Sequence, residues 1–520
     1  MDASPRVAVQ RERGLRCPLD DGTVLVGDLW RPVSGGPFPV LVQQLPYGRS
    51  VASSPVLPHP SWLASHGYLV VVLDVRGRGD SEGTFAPFVH AGSDGATAIE
   101  WAARLPGSTG TVGTYGFSYQ GLLQIYTAAE RPPSLRAIAP MMCGTDPYDG
   151  WTHEGGCLRW PFVCFWAAQL AGQERNEPPV DYDLGALPPS SALGDNPPQY
   201  FKEWLRHHDG NADYWQTRRP DLAAIDVPAL VVGGWFDDFS SATLRLAQQL
   251  EAELHVGPWS HMPWGSRCGD LELGADAGPA VITDALVAFF DRILKGEHNF
   301  EKRGHVRYYT IGRGWETAAA WPPPTEVRSF RAHSEGNANS RHGDGRLQDE
   351  PTDRALTDVI VVEPHYPYPG DDSPFSDEGL AEDRRDVCCY TSAPLTSQMV
   401  LTGAPRAQVT TRCDQPTNDV VASLILVEVG SPPRRLCSGT FRLPPSGADS
   451  QRSCTVQLRP TSIVIPEGAR LRLDVSGARF PMFDRNPHIA TTNPTDVTAA
   501  ESNVATLEIL GIELEVPFRQ

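Results

Sequence analysis

The chain has 520 residues, 40% of them hydrophobic, and a formal net charge of −19. That length exceeds one compact core and predicts roughly two to four domains of about 100–200 residues each. The acidic balance argues against nucleic acid or an anionic membrane as partner, since both need a basic surface, and no apolar run reaches the roughly 18 residues of a membrane span.

In chain order, Met1–Arg16 is polar and lacks the apolar core of a secretory signal, so a cytoplasmic protein is expected. Pro39–Gln44 and Tyr68–Val75 are Val- and Leu-rich runs of the kind buried on both faces of a sheet. Asp94–Leu105 has helical spacing, with Ala98, Ile99, Ala102 and Leu105 on one side. Thr111–Gly116 reads as a strand, Gly121–Ala129 as a helix and Ala137–Met142 as a strand. This alternation predicts a parallel sheet wrapped by helices.

From 146 to 225 no strand is expected; Trp151, Trp160, Trp166, Trp204 and Trp215 stand among Pro, Asp and Gly, which suggests a helical insertion. Alternation resumes with Pro228–Gly233, Thr243–Leu250, Leu254–Val256 and Asp284–Leu294. Beyond Trp321 the short β-branched segments Asp358–Val362, Ala407–Thr411, Val420–Val429, Cys454–Leu458 and Leu471–Val475 predict an antiparallel β-sandwich. The expected division is a sheet domain over 1–145 and 226–324, an insertion over 146–225, and a β domain over 325–520.

The ten cysteines include no C-x-x-C pair and fit neither a zinc ribbon nor a small disulfide scaffold. Reduced thiols and no metal or cofactor are expected.

The chemistry gathers at Gly116-Phe117-Ser118-Tyr119-Gln120-Gly121, between a strand and a helix. A sharp turn there lifts the serine hydroxyl above the sheet edge, where the helix N-terminus faces an oxyanion. The generic G-x-S-x-G elbow is altered, because Gln120 replaces its second Gly. A serine needs a base, its free hydroxyl being barely ionised at neutral pH. His261 follows the strand Leu254–Val256, on the side of an α/β sheet where functional loops gather. Asp237 and Asp238 follow the preceding strand, and either completes the order Ser…Asp…His.

Several stretches then resemble the bacterial cocaine esterase / X-Pro dipeptidyl-peptidase family of α/β-hydrolases. They are Asp74-Val-Arg-Gly-Arg-Gly-Asp-Ser-Glu-Gly83, the Ser118 hexamer, Gly234-Trp-Phe-Asp-Asp-Phe239, Gly257-Pro-Trp-Ser-His261, Trp321-Pro-Pro-Pro324 and Phe480-Pro-Met-Phe-Asp-Arg-Asn486. The resemblance covers nearly the whole chain. It implies an α/β-hydrolase core with an inserted helical cap and a C-terminal jelly roll.

It also implies Ser118 as nucleophile, His261 as base and Asp237 as acid, leaving Asp238 to cap the next helix. Tyr47 would supply an oxyanion donor through its hydroxyl, and Tyr119 the second through its backbone N–H. Trp151, Trp166 and Phe239 match positions that hold an acyl group. The Asp74–Gly83 stretch, lacking a phosphate-loop pattern, is expected to be a charge-paired turn.

The expected partner is a small-molecule ester or amide with an apolar or aromatic acyl group, cleaved through a covalent acyl-enzyme. Acyl transfer by the same triad and X-Pro dipeptidyl-peptidase activity are the alternatives. The cap carboxylates Asp146, Asp149 and Glu154 are expected to be solvated, leaving no anion for a substrate ammonium. A non-enzymatic carbohydrate-binding reading is disfavoured by the intact triad candidates.

Overall fold

In the computed structural model, which describes residues 7–51, 56–173, 178–296, 305–349 and 356–519, a strand apolar from Leu69 to Leu73 is covered twice. Leu69, Val71 and Leu73 pack into one apolar cluster, while Val70 and Val72 pack into another on the opposite face. Helices Ala91–Ala103, Tyr119–Ala129 and Ser240–Gln249 cover the first face; Pro60–Ser65 and Ala280–Leu294 cover the second.

The sheet has ten strands: β1 (Val9–Pro18), β2 (Val24–Pro32), β3 (Phe38–Leu45), β4 (Leu69–Asp74), β5 (Ser108–Phe117), β6 (Leu135–Met141), β7 (Leu230–Phe236), β8 (Glu253–Ser260), β9 (Val306–Thr310) and β10 (Gly314–Ala318). Their order is β1-β2-β4-β3-β5-β6-β7-β8-β9-β10. From β4 to β9 every neighbour is parallel, and β1, β2 and β10 join antiparallel. The parallel stretch brings the carboxyl ends of β3, β5, β7 and β8 to one edge, where the candidate residues follow them.

The insertion carries helices Trp160–Gln173, Gln199–Arg206 and Asp213–Gln216. It also holds a short antiparallel pair, His153–Glu154 with Cys157–Leu158, where no strand is expected from sequence.

Beyond Trp321 the chain is β-rich, organised by a twelve-stranded sheet. All five expected strands are present, at Asp358–Val362, Arg406–Cys413, Asn418–Val427, Gln451–Gln457 and Arg470–Ser476. Within that sheet pairing is antiparallel except between Arg346–Gln348 and Val387–Ser392, and a separate two-stranded pair, Pro369–Gly370 with Phe480–Pro481, is parallel. The long strand Ala505–Arg519 pairs with four others. Its inward phase is kept by a bulge: Gly511 faces Thr410 and Ile509 faces Thr411, so Leu510 is the extra residue.

Candidate active site

Ser118 stands between β5 and the helix Tyr119–Ala129, with φ 61° and ψ −133°. A non-glycine residue held in such a sparsely populated conformation costs about 1–3 kcal/mol, and the surrounding polar bonds hold it. Gln124, buried in the helix, donates to the carbonyls of Gly116 (3.1 Å), Gln120 (3.2 Å) and Ala139 (3.2 Å), and accepts from Ala139 N–H (2.9 Å). Gly116 lets this turn close, since a Cβ there would stand 2.6 Å from the Gln120 Cβ. Gln120, where the generic motif has glycine, accepts from Gln43 Nε2 at 2.7 Å beneath the sheet edge.

Tyr47 follows β3. Its phenol oxygen accepts from Trp166 Nε1 at 3.0 Å and is hydrogen-bonded to Ser118. Burial pushes the phenol up to about 12, against the pull of those bonds and the Arg78 charge. It therefore keeps its proton at neutral pH, and with Trp166 donating to its oxygen the O–H remains to donate.

Asp237 follows β7 and is fully buried; His261 follows β8. His261 Nδ1 lies 2.8 Å from Asp237 Oδ1. An ionised carboxylate only accepts, so Nδ1 carries the proton and Nε2 is left as the basic nitrogen. Burial lowers the imidazole pKa, but the Asp237 charge and hydrogen bond, with the Asp238 charge behind them, raise it above the usual histidine value.

The remaining candidates close a ring of contacts between these groups. Trp166 lies 6.0 Å edge-on from Trp151, which stacks on Phe239 at 5.0 Å and 6°. Phe239 in turn meets the His261 ring at 5.4 Å. The Tyr119 ring contacts Trp151 at 5.5 Å and Trp166 at 5.3 Å, and its hydroxyl accepts from Phe88 N–H at 3.1 Å. The Tyr119 amide, first in its helix, lies among the N–H groups that a helix leaves without an internal partner. Phe85 and Phe162, not singled out from sequence, extend the aromatic wall against Trp166 and Trp151.

Two expectations are corrected. Asp238 does not cap the following helix, which starts at Ser240 with Phe239 at the cap and no side-chain cap bond. Its Oδ1 instead accepts from Arg459 Nη1 at 3.3 Å, and its backbone carbonyl from Arg159. Glu154 is not solvated but bonded to Arg159 (2.9 Å) and Arg459 (3.0 Å). Asp146 is also largely buried, accepting the N–H groups of Tyr148 and Asp149, whereas Asp149 is exposed beside Arg245. The Asp74–Gly83 turn is charge-paired: Arg76 grips Asp94, Arg49 holds Asp74 and Asp80, and Arg78 donates to the carbonyls of Pro46 and Leu170.

Known proteins are similar to this chain. The family model of X-Pro dipeptidyl-peptidase (S15 family) matches residues 21–263, and that of the X-Pro dipeptidyl-peptidase C-terminal non-catalytic domain matches residues 298–506. The cocaine esterase of Rhodococcus sp. (strain MB1 Bresler) is 29% identical, over 90% of this chain and 91% of that protein. The chain belongs to the cocaine esterase / X-Pro dipeptidyl-peptidase family of α/β-hydrolases. It is a hydrolase of the S15 serine-hydrolase family, with an α/β-hydrolase-type domain followed by an all-β domain.

Two solved structures share the fold over nearly its whole length. An aminopeptidase from a marine sediment Thaumarchaeota archaeon aligns with a TM-score of 0.83 at 19% identity, covering 99% of this chain and 97% of that one. An α-amino acid ester hydrolase aligns with a TM-score of 0.82 at 19% identity, covering 100% and 98%. No helix among the described residues is long and apolar enough to cross a membrane.

Proposed function

We propose that this family member hydrolyses a carboxylic ester with a bulky apolar or aromatic acyl group, through an acyl-enzyme on Ser118. His261 Nε2 takes the Ser118 proton as Oγ attacks the acyl carbon, and Asp237 holds the imidazole and balances the imidazolium. Tyr47 O–H and the Tyr119 amide receive the oxyanion, whose charge is largest at the tetrahedral stage. His261 then returns the proton to the leaving alkoxide, and water repeats the sequence to release the acid. The domain division expected from sequence belongs to this reading, with the cap supplying Trp151 and Trp166.

The observation that carries the proposal is the unbroken aromatic wall from Tyr47 through Trp166, Trp151 and Phe239 to His261. Such a wall favours an acyl group that gains from leaving water. The family model's name makes X-Pro peptide cleavage the competing activity. A free N-terminus calls for an available carboxylate, yet Glu154 and Asp238 beside this wall are both engaged by arginine.

The test is a matched series of acetyl, butyryl and benzoyl esters beside a Gly-Pro anilide, run on wild type and Trp166→Ala. At about 25 cal/mol per Å², a benzoyl group burying roughly 100 Å² more gains about 2–3 kcal/mol, or about 50-fold in kcat/KM over acetyl. Gly-Pro anilide as the best substrate, or an acyl preference untouched in Trp166→Ala, would overturn the assignment.

A further inference from the structure

The loop that carries Asp237 is gripped from the all-β domain. Arg459 follows the strand Gln451–Gln457, and its side chain is only 9% exposed. It meets carboxylates from three separate stretches of chain: Glu154 Oε2 at 3.0 Å, Asp238 Oδ1 at 3.3 Å and Asp372 Oδ1 at 3.1 Å. Arg159, from the insertion, is buried beside it. It donates to the Asp238 carbonyl and to Glu154, and its guanidinium lies 5.6 Å over the Phe239 ring. The Asp372 and Asp238 carboxylates share one donor, Arg459 Nη1, and burial with the neighbouring Asp238 charge pushes Asp372 toward its protonated form. With Asp372 protonated, the two carboxylates of Glu154 and Asp238 balance the two guanidinium ions in charge.

Position in the chain gives this cluster its leverage. Asp238 has the proposed acid, Asp237, on one side and the acyl-pocket ring of Phe239 on the other. Both its side chain and its carbonyl are held, so the loop has little freedom to turn Asp237 away from His261. The charge of Asp238 also reaches His261 directly.

We propose that Arg459 and Asp372 are positioning residues: from the all-β domain they fix the Asp237–Phe239 loop and set the field that His261 feels. The inference rests on Ser118, His261 and Asp237 being the triad proposed above. Burial, then the charge of Asp238, push Asp372 up to about 7 against the pull of Arg459 and Arg159. The charged groups facing the Asp238–Asp372 pair are these two arginines and Glu154, with His261 beyond. As pH rises Asp372 loses its proton and presents one more negative charge toward His261. That extra charge favours the imidazolium.

The experiment measures kcat, KM and pH profiles with 4-nitrophenyl butyrate for wild type, Arg459→Met, Arg459→Lys and Asp372→Asn, with folding checked by circular dichroism. Arg459→Met removes a cation: kcat should fall about 10–100-fold with KM within about threefold. The acidic limb should move up by about half a pH unit. Arg459→Lys, which keeps the charge, should recover most of kcat. Asp372→Asn is isosteric and cannot ionise, and its acidic limb should move down. A purely structural role would not move the two limbs in opposite directions.

The proposal is overturned by folded Arg459→Met with kcat within twofold of wild type, or by limbs that stay fixed or move together. Should Arg459→Met not fold, Asp372→Asn decides alone: an unmoved limb overturns the proposal. Wild type that a fluorophosphonate does not label at Ser118 refutes the hydrolase reading itself, a result separable from all of these.

Discussion

Each catalytic candidate is held by a bond that a single substitution removes. Ser118→Ala and His261→Ala should each lower kcat by about 10⁴–10⁶ in folded protein, because triad members act as a unit. Asp237→Asn should lose about 10⁴ by upsetting the tautomer that the 2.8 Å bond to Nδ1 imposes. Asp238→Asn should lose far less; the reverse order would make Asp238 the acid. The pH profile carries a sign. As the proposed base, His261 must be neutral to act, and its pKa is raised by Asp237 and Asp238 over the opposing effect of burial. The acidic limb of kcat/KM should therefore lie above the ordinary histidine value of about 6.5. The same shift stabilises the fold below that value, and this contribution is lost as pH climbs through the raised pKa. A limb below 6 would contradict the Asp237–His261 pairing. Tyr47, protonated with a phenol pKa of about 12, should act on transition-state charge. Tyr47→Phe is expected to cut kcat about 10²–10³ with KM nearly unchanged, and a change confined to KM would make it a substrate contact only.

At the scale of elements, what sequence revealed followed from how completely each segment is buried. β4 and β6 are apolar at almost every position and fall within a residue or two of the runs that predict them. β1, whose Gln10, Arg11, Glu12 and Arg13 are mostly turned to solvent, has no apolar pattern and was not foreseen. Ala505–Arg519 alternates clearly on either side of Leu510, but the bulge there breaks the period and hides the strand. The site divides in the same way. Ser118, Asp237 and His261 sit in local motifs at strand ends, whereas Arg459 reaches Asp238 across 221 residues and leaves no local trace. Arg78 shows how elements are joined beneath the site. Its Nε donates to the Pro46 carbonyl at 2.8 Å, next to Tyr47, and its terminal nitrogens donate to Leu170 at 3.2 Å, one turn beyond Trp166. It thus ties Tyr47, the proposed oxyanion donor, to the helix that bonds it. Hydrogen bonds to a charged group contribute about 1.5–3 kcal/mol each. Arg78→Met should lower kcat at least tenfold, and Arg78→Lys should not restore it, since one ammonium cannot match the spread of the guanidinium. Full activity in a folded Arg78→Met variant would count against this coupling.

At the scale of the whole molecule, the hydrolase core and the all-β domain are not two bodies touching at a rim. One continuous apolar cluster runs from Val71 and Leu122 in the core, through Trp160 and Trp204 in the insertion, to Tyr390 and Leu507 in the all-β domain. Backbone bonds cross the same boundary. Ile311 N–H donates to Ser462 at 2.9 Å, Val464 N–H donates back to Ile311 at 2.9 Å, and Arg442 N–H donates to Gly155 at 2.8 Å. Leu158 N–H donates to Asp484 Oδ1 at 2.8 Å. Unfolding the all-β domain alone would also take Arg459 from Asp238 and Glu154, and stripping one partner from a buried ion cluster costs about 3–5 kcal/mol. Large multidomain chains often melt in stages, yet here an intermediate with a native core and an unfolded all-β domain would expose both the apolar seam and uncompensated carboxylates. Calorimetry of the full chain should accordingly show one endotherm, and tryptophan fluorescence, which reports mainly on the core and insertion, should change together with far-ultraviolet circular dichroism. Arg459→Met, which loosens the seam at its charged point, should bring the two probes apart or broaden the transition. Two resolved endotherms in wild type would mean that the all-β domain unfolds on its own, and that the seam is too weak to hold the Asp237 loop in the way its geometry indicates.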